Sequence, residues 1–517
     1  MTATVEEDRG GGRWRRIDPL GPLLAVAAFG VFMLYGFEGY LTRDLGLYAY
    51  SALQVAEGVP PYESVLNRAG PLAHLVPALG VPPARLAGIE ELTGIRVAVA
   101  LVSAAGVWAL YLLGRDVHRS RIAGAVAASA LLTFEGVVAM SASGPRDKPI
   151  MLAFLTLALL AMVRRSWLVA GVLVACATLT WQPAFLVASP VAVVVIVTLR
   201  DPDFGRALVR FAVGGTAPAA LCVLGFWLTG ALQELIEGFV ILPMRYTGFA
   251  PFTRTAEKNA LELVAGFGPG LWVLLAGLVA TLVAAVVTVV ARIRAGPDAA
   301  EPTWVDRLAL GIGCAAGLAL CLRAFDSWPD AFALLPFAAL GAGTIAHALI
   351  RAAPPRAGRV LGAALCVVTL VLAGLSAWSN RADRLTEPRA ATVAVMGALP
   401  EDATVMSVEV PQALVFSGKT NPTRHQIFVS RLKNHIDDRF PGGMPGFVAR
   451  LRAEPPTVIV TRPSTRNRLW LEPTLSRGYT EIGDGTAATF YVHRSLGSAT
   501  IHRARAALHE VMGASGE

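Results

Sequence analysis

Charge is scarce in this chain. Of its 517 residues only 16% are charged, where a soluble domain of that size carries about 25%. Cysteine is scarce too. The five residues Cys176, Cys222, Cys314, Cys321 and Cys366 all lie in or beside apolar segments, so no disulfide framework holds the polar C-terminal region together. No Cys/His spacing suits zinc, and neither a Gly-x-Gly-x-x-Gly nor a phosphate-loop motif supports nucleotide binding. The ten-residue alternating segments of a membrane β-barrel are missing. So is the internal repeat of a transporter built from inverted halves.

What remains is apolar surface. Hydrophobic residues make up 54% of the chain and the mean hydropathy is +0.55. Runs of about 20 apolar residues, enough to cross a bilayer as a helix, recur along most of it. They fall near 20–37, 92–113, 122–140, 149–163, 167–181, 184–199, 209–229, 263–291, 306–322, 330–350 and 359–378. The expected fold is a polytopic α-helical membrane protein of about 11 spans. The net charge of +8 comes from arginines clustered in short loops, the pattern of the positive-inside rule, and no recognition module points to nucleic acid.

Residues 1–19 read as a disordered cytoplasmic tail. Arg13, Arg15 and Arg16 precede the first span, and Gly36-Phe37-Glu38 follows it in place of a small-x-small cleavage site, so the span is a retained anchor. With the N-terminus inside, the arginines of 115–121, 164–165, 200–210, 292–307 and 351–359 share the cytoplasmic side. The first external loop (38–91), 141–148, 181–183, 233–259 and 323–330 face outward, and an odd span count puts the C-terminus outside. This is the topology of a multi-pass protein of a bacterial cytoplasmic (inner) membrane.

The first loop is the longest polar excursion of the N-terminal half. Residues 43–57 and 71–87 each suit a short interfacial helix, broken apart by Pro60-Pro61. From 385 to 517 the composition changes. The β-branched runs Thr404–Val410, Thr457–Val460 and Thr489–Val492 alternate with amphipathic stretches such as Gly446–Arg452 and Ser464–Ser476, predicting an external, soluble α/β domain.

The loop contains Asp44, Tyr48, the turn Gly58-Val59-Pro60-Pro61-Tyr62 and the segment Arg68-Ala69-Gly70-Pro71-Leu72. In that order and spacing it resembles the first external loop of the GT-C glycosyltransferases, membrane enzymes that use polyprenyl-phosphate sugars. The likeness is to the protein mannosyltransferase and aminoarabinose transferase branch and covers roughly 20–350, within a catalytic membrane domain of 20–380. It implies an enzyme that moves a hexose or pentose, with inversion, from a polyprenyl-phosphate donor to an extracytoplasmic glycan, lipid or protein acceptor. Asp44 would take the proton of the acceptor hydroxyl. Read without the resemblance, Asp44 is an interfacial acid that caps the surface helix or pairs with Arg43. Many relatives have two adjacent acids here, where this chain has Arg43-Asp44-Leu45.

The stretch Gly144–Leu152 resembles the family's Asp-x-Pro opening of the fourth span, with Asp147 as the acid that orients the site. Three adjacent charges, Arg146, Asp147 and Lys148, are costly between spans unless paired or used. Arg68, Lys148, Arg245 and Arg254 are candidates for the donor phosphate. Arg43, Tyr48, Tyr62, Arg146 and Gln182 complete the expected substrate-binding set. Asp326 and Trp328 lie in a segment similar to the family's entrance to a late span, though its His and Tyr are missing. Trp328 would stack on a sugar or anchor the chain at the interface. His74 reads as a polar-face residue. No motif calls for a cofactor, although some relatives use a divalent metal. The competing readings are a transporter or flippase, which calls for charges near span centres, and a membrane-anchored sensor that needs only the external domain.

Overall fold

Leu20–Tyr35 (α1) carries no charge, and it stops at Gly36, whose φ of 88° only glycine adopts freely. In the computed structural model the described residues are 18–199, 201–248, 250–295, 303–428, 430–463 and 469–514. The expected tail therefore lies outside them, apart from its last two residues.

Arg43–Ala56 (α2) opens on Thr42, whose hydroxyl accepts the Leu45 N–H at 3.4 Å. Thr42 is thus the cap. Asp44 sits in the first turn, where the helix dipole favours a carboxylate. The second surface helix is two, Leu72–Ala78 (α3) and Val81–Ala87 (α4), parted where Gly80 meets the backbone of Gly94 too closely for any Cβ. Rather than lying open along a bilayer surface, α2 is buried from Leu45 to Ala52.

Glu91–His118 (α5) is 28 residues, about 42 Å at 1.5 Å per residue. Arg121–Leu131 (α6) and Glu135–Ser143 (α7) occupy the expected span 122–140 but meet at a 68° bend. Asp147–Val163 (α8), Trp167–Thr180 (α9), Ala184–Val197 (α10) and Asp203–Leu228 (α11) follow. Then come Leu232–Leu235 (α12), a π-helix at Ile236–Ile241, Leu242–Arg245 (α13) and Ala256–Phe267 (α14). Gly270–Ala295 (α15) is separated from α14 by Gly268-Pro269, so the expected span 263–291 is also broken. Trp304–Arg323 (α16), Leu335–Ala352 (α17) and Pro355–Ser379 (α18) complete the bundle. Among the described residues six helices are long and apolar enough to cross a membrane, or seven counting the bent pair; α1, α9 and α10 are shorter. Apolar side chains such as Trp227 on α11, Val286 on α15 and Leu375 on α18 face outward, as in a protein solvated by lipid.

Charges mark two ends. At one, Asp18 pairs with Arg115 and Arg121, Arg164 with Asp116 at 2.8 Å, and Arg165 with Asp306 at 2.7 Å. At the other, across the length of α5, the charges of the first loop gather with those of 146–148 and 326–330.

Beyond Thr386–Gly397 (α19) lies a four-stranded sheet: Val405–Val408 (β1), Val458–Thr461 (β2), Tyr479–Asp484 (β3) and Thr489–His493 (β4). The order is β1-β2-β4-β3, with β1 parallel to β2 and the other pairs antiparallel. The parallel pair requires a crossover. It contains Gln412–Ser417 (α20), Ser430–Arg439 (α21) and Gly443–Ala453 (α22). Glu472–Gly478 (α23) and Gly497–Ala514 (α24) finish the chain. Both sheet faces are buried, which is why β1, β2 and β4 read as continuous apolar runs. One face includes Val405, Val460 and Phe490, and its core continues into Leu47 and Tyr50 of α2. The sheet region and the helix carrying Asp44 therefore share one core.

A second contact ties the sheet region to the π-helix. Glu237, on that helix, hydrogen-bonds His435 Nε2 at 2.8 Å and pairs with Arg424. Burial raises the Glu237 carboxyl, but the His435 bond and the Arg424 charge outweigh it and hold the group at about 2. A carboxyl depressed in the folded state contributes stability above its ordinary value of 4.5 and loses it as pH falls toward about 2. Glu237→Gln is expected to melt below wild type at neutral pH and to lose less melting temperature across that acid window, checked by melts in detergent over pH.

Candidate active site

One chain of ion pairs with alternating sign runs through the end of the bundle that holds the first loop. It begins in the sheet region at Glu409, whose Oε2 lies 2.8 Å from Arg43 Nη1. Arg43 Nη2 and Nε each lie 3.2 Å from Asp44 Oδ1, and Asp44 Oδ2 is 3.5 Å from Arg146 Nη2. Arg146 Nε is 3.7 Å from Asp147, Lys148 Nζ is 3.6 Å from Asp147, and the same amine is 3.3 Å from Asp330. Alongside, Arg68 Nη2 meets Asp326 Oδ2 at 2.9 Å.

Each member is placed by backbone. Arg43 and Asp44 open α2, Asp147 and Lys148 open α8, and Arg146 is the residue before it. Asp330 closes a capping box with Ser327 at the start of the 3-10 turn Trp328–Leu334 and accepts the Asp326 N–H at 2.9 Å. Lys148 is only 5% exposed, and its amine sits 3.6 Å above the Trp181 ring as well as beside two acids, the company a buried ammonium needs.

Burial works to raise the Asp44 carboxyl, but the charges of Arg146, Arg43 and Arg68 win and hold it below the usual carboxylate range. Asp44 is therefore ionised at neutral pH, and with its side chain 40% exposed it remains reachable. Burial, with the charge of Asp147 beside it, pushes the Tyr48 phenol well above its ordinary value. Tyr48 stays a neutral hydroxyl under the acids.

The backbone carrying Arg68 is fastened at several points. Tyr62, itself at a φ of 72°, donates its hydroxyl to the Ala69 carbonyl at 2.6 Å. Gly70 lies so near α9 that a Cβ would stand 1.9 Å from the Leu179 carbonyl oxygen, which explains the glycine of the Arg-Ala-Gly-Pro-Leu segment. Gln182 Nε2 donates to the carbonyls of Arg68 and Phe239, each at 3.0 Å. Tyr62 and Gln182 therefore position Arg68.

Beside this chain is a cavity of about 260 Å³ whose lining includes Tyr35, Tyr40, Glu135, Trp328, Ser376 and Arg384. Trp328 forms one wall, its indole pressed against Gly136 and Gly266, where a Cβ would meet it at 2.2 and 2.3 Å. The ring packs within the protein rather than anchoring it in lipid.

Three solved structures share this fold. ArnT from Cupriavidus metallidurans bound to undecaprenyl phosphate superposes with a TM-score of 0.59 at 17% identity, over 92% of this chain and 97% of that one. The same enzyme in the apo state gives 0.61 at 15% identity, over 92% and 98%. The Archaeoglobus fulgidus oligosaccharyltransferase in its apo form gives 0.56 at 12% identity, over 93% of this chain and 75% of that one. The chain has the GT-C fold. No protein-family model and no curated protein matches the sequence.

Within this GT-C fold, Arg43, Asp44, Tyr48, Arg68, Arg146, Asp147, Lys148 and Asp326 come together, with Tyr62 and Gln182 behind them. Arg245 and Arg254 do not join them. Both are exposed, and among the described residues no ion pair or hydrogen bond links either to the acid chain. His74 is fully buried rather than on a polar face. Among the described residues neither ring nitrogen has a hydrogen-bond partner, its ring stacks on Tyr48 at 5.3 Å, and burial lowers it to about 3, so it is neutral. Among the described residues no three His, Cys, Asp or Glu side chains gather to hold a metal ion.

Two residues built into this site escaped the sequence reading. Glu409 lies inside the apolar run Thr404–Val410, where a lone acid was the available signal. Arg96 lies inside an expected span and is 0% exposed. Its guanidinium donates to the carbonyls of Gly144 and Gly39, each at 3.1 Å, and to that of Phe37. It thereby fixes the segment entering α2 against the turn that presents Arg146. Arg96→Leu strands two buried carbonyls and a part-buried one and is expected to cost about 3 kcal/mol. Arg96→Lys keeps the charge but loses the fork. Thermal melts should rank wild type above Lys and Lys above Leu, and equal melting of wild type and the Leu variant would contradict this clamp.

Proposed function

We propose that this protein is an inverting membrane glycosyltransferase that carries a sugar from a polyprenyl-phosphate donor to an acceptor outside the cytoplasmic membrane. The observation that carries the reading is Asp44. It is an ionised, partly exposed carboxylate at one end of an apolar bundle, set among Arg43, Arg68, Arg146 and Lys148. The GT-C fold, shared with a protein captured with undecaprenyl phosphate, supports the choice of donor. A carrier lipid fits an apolar bundle, and its phosphate fits these cations.

In this mechanism the acceptor hydroxyl gives its proton to Asp44 while its oxygen bonds to the anomeric carbon, on the face opposite the phosphate. The anomeric carbon–oxygen bond breaks, both electrons leave with the polyprenyl phosphate, and the sugar is inverted. The leaving phosphate gains a negative charge, which Arg68, Arg146 and Lys148 stabilise. Among the described residues Arg146 Nε is buried without a hydrogen-bond partner, so this guanidinium has a donor to offer the phosphate. A guanidinium drawn toward phosphate also withdraws from Asp44, and the carboxylate then becomes more basic as the donor settles. Asp147 holds Arg146 and Lys148 in register.

The arginine-rich loops gather at the end opposite the site, and by the positive-inside rule that end is cytoplasmic. The acid chain, and the sheet region of 385–517 that touches it, then face outward, where the sheet region would position the acceptor. The transporter reading is weaker, because the charges cluster at one end of the bundle instead of lining a path through its middle.

Purified protein supplied with labelled polyprenyl-phosphate sugars and an envelope extract is expected to transfer sugar. Asp44→Asn, folded by its thermal melt, should lose about a hundredfold or more, and Arg68→Met should lower kcat, because it removes charge that stabilises the leaving phosphate. Full activity in Asp44→Asn would place the base elsewhere.

A further inference from the structure

Glu409 belongs to the sheet region, more than 350 residues beyond Asp44 in the chain, yet it is one step from that carboxylate. Its side chain is 3% exposed. Its Oε2 takes Arg43 Nη1 at 2.8 Å and its Oε1 accepts the Phe428 N–H, so both carboxylate oxygens are committed. The residue stands at a φ of 68°, a left-handed conformation that non-glycine residues adopt at a cost and that the surrounding structure must enforce. Its backbone N–H is bonded to the Gln426 carbonyl at 2.8 Å, and Gln412, three residues on, packs against Gly46 of α2. A strained, buried acid held from both sides and aimed at a neighbouring element's arginine is more than filler.

Resting on the glycosyltransferase reading, we infer that Glu409 is a positioning residue of the active site, sharing Arg43 with Asp44 and so setting how basic Asp44 is. Arg43 faces two carboxylates at 2.8 and 3.2 Å, and the nearer is Glu409. While Glu409 holds the guanidinium, Asp44 receives part of its charge. Without Glu409 the whole charge falls to Asp44, which becomes a weaker base.

The other charged groups around Asp44 are already committed. Arg146 lies between Asp44 and Asp147, and Arg68 is paired with Asp326. On the elements packed against α2, Arg85 of α4 is paired with Glu57 and Glu91, Arg96 of α5 is bonded to carbonyls, and His74 of α3 faces Tyr48. The α20 segment Gln412–Ser417 contributes no titratable side chain. Arg43 is the group through which the sheet region reaches the acid.

The test is the pH profile of kcat/KM for wild type, Glu409→Gln and the double variant Arg43→Met/Glu409→Gln. In Glu409→Gln the acid limb should move to lower pH by about one unit, with the plateau reduced about tenfold. In the double variant the limb should move above that of wild type, because Arg43's charge is gone. Should Glu409→Gln fail to fold, Glu409→Asp lengthens the same contact and is expected to move the limb in the same direction by less. Thermal melts give an activity-independent check. With Arg43→Met as the other single variant, the pair should show coupling in a double-mutant cycle, the double variant losing less melting temperature than the two single losses summed. An unmoved acid limb in the folded variant overturns the inference even if activity falls, since a merely structural role changes the plateau alone. Absence of transfer by wild type would instead overturn the reading of the enzyme, and the melting cycle would still report whether Glu409 and Arg43 act as a pair.

Discussion

Everything around this site depends on keeping charge at the edge of an apolar bundle. The chain has few charged residues to spend, and it concentrates them in one row of alternating sign from Glu409 to Asp330. Alternation is what makes the row tolerable. Each buried or half-buried charge has opposite neighbours, and truncating one member leaves another uncompensated. The same arrangement leaves Asp44 between two arginines, ionised and partly exposed.

Burial has been used to place backbone as well as charge. Arg96 brings two separate stretches together by bonding their carbonyls, and Gly70 lets the loop carrying Arg68 lie directly on the end of α9. Tyr62 and Gln182 fasten that loop from behind. None of these needs to touch a substrate. They explain how a loop between apolar helices can hold an arginine steady.

The C-terminal sheet is part of this frame. Its core runs into α2 through Leu47 and Tyr50, Asn421 donates its N–H to the Tyr50 hydroxyl at 2.9 Å, and the Arg424 carbonyl accepts the Leu66 N–H at 2.8 Å. With Glu237 fixed by His435 and Arg424, the sheet region grips both the first loop and the loop after α11. A movement of the sheet region would be felt at Arg43.

Composition and hydrophobic run length by themselves determined that the chain is a helical membrane protein, because twenty-residue apolar segments leave the backbone few other solutions in lipid. Local order marked the first loop, since Asp44, Tyr48, the Pro60-Pro61 turn and Arg68 are close in sequence, but the burial of α2 and the division of the second helix depend on distant packing. The apolar runs at 405–408, 458–461 and 489–493 were legible for the same reason, whereas Tyr479–Asp484 was not, because its outward residues are polar and a bulge interrupts it. Breaks inside apolar stretches were hidden as well. Neither the 68° bend before Glu135 nor the Gly268-Pro269 interruption changes hydropathy enough to show. What only the tertiary structure decided is which charges meet. Arg96 with Gly144, Arg68 with Asp326, Lys148 with Asp330 and Arg43 with Glu409 are pairings across 48 to 366 positions. Periodicity and propensity are short-range signals, and an ion pair's partner is fixed by where helices end in space.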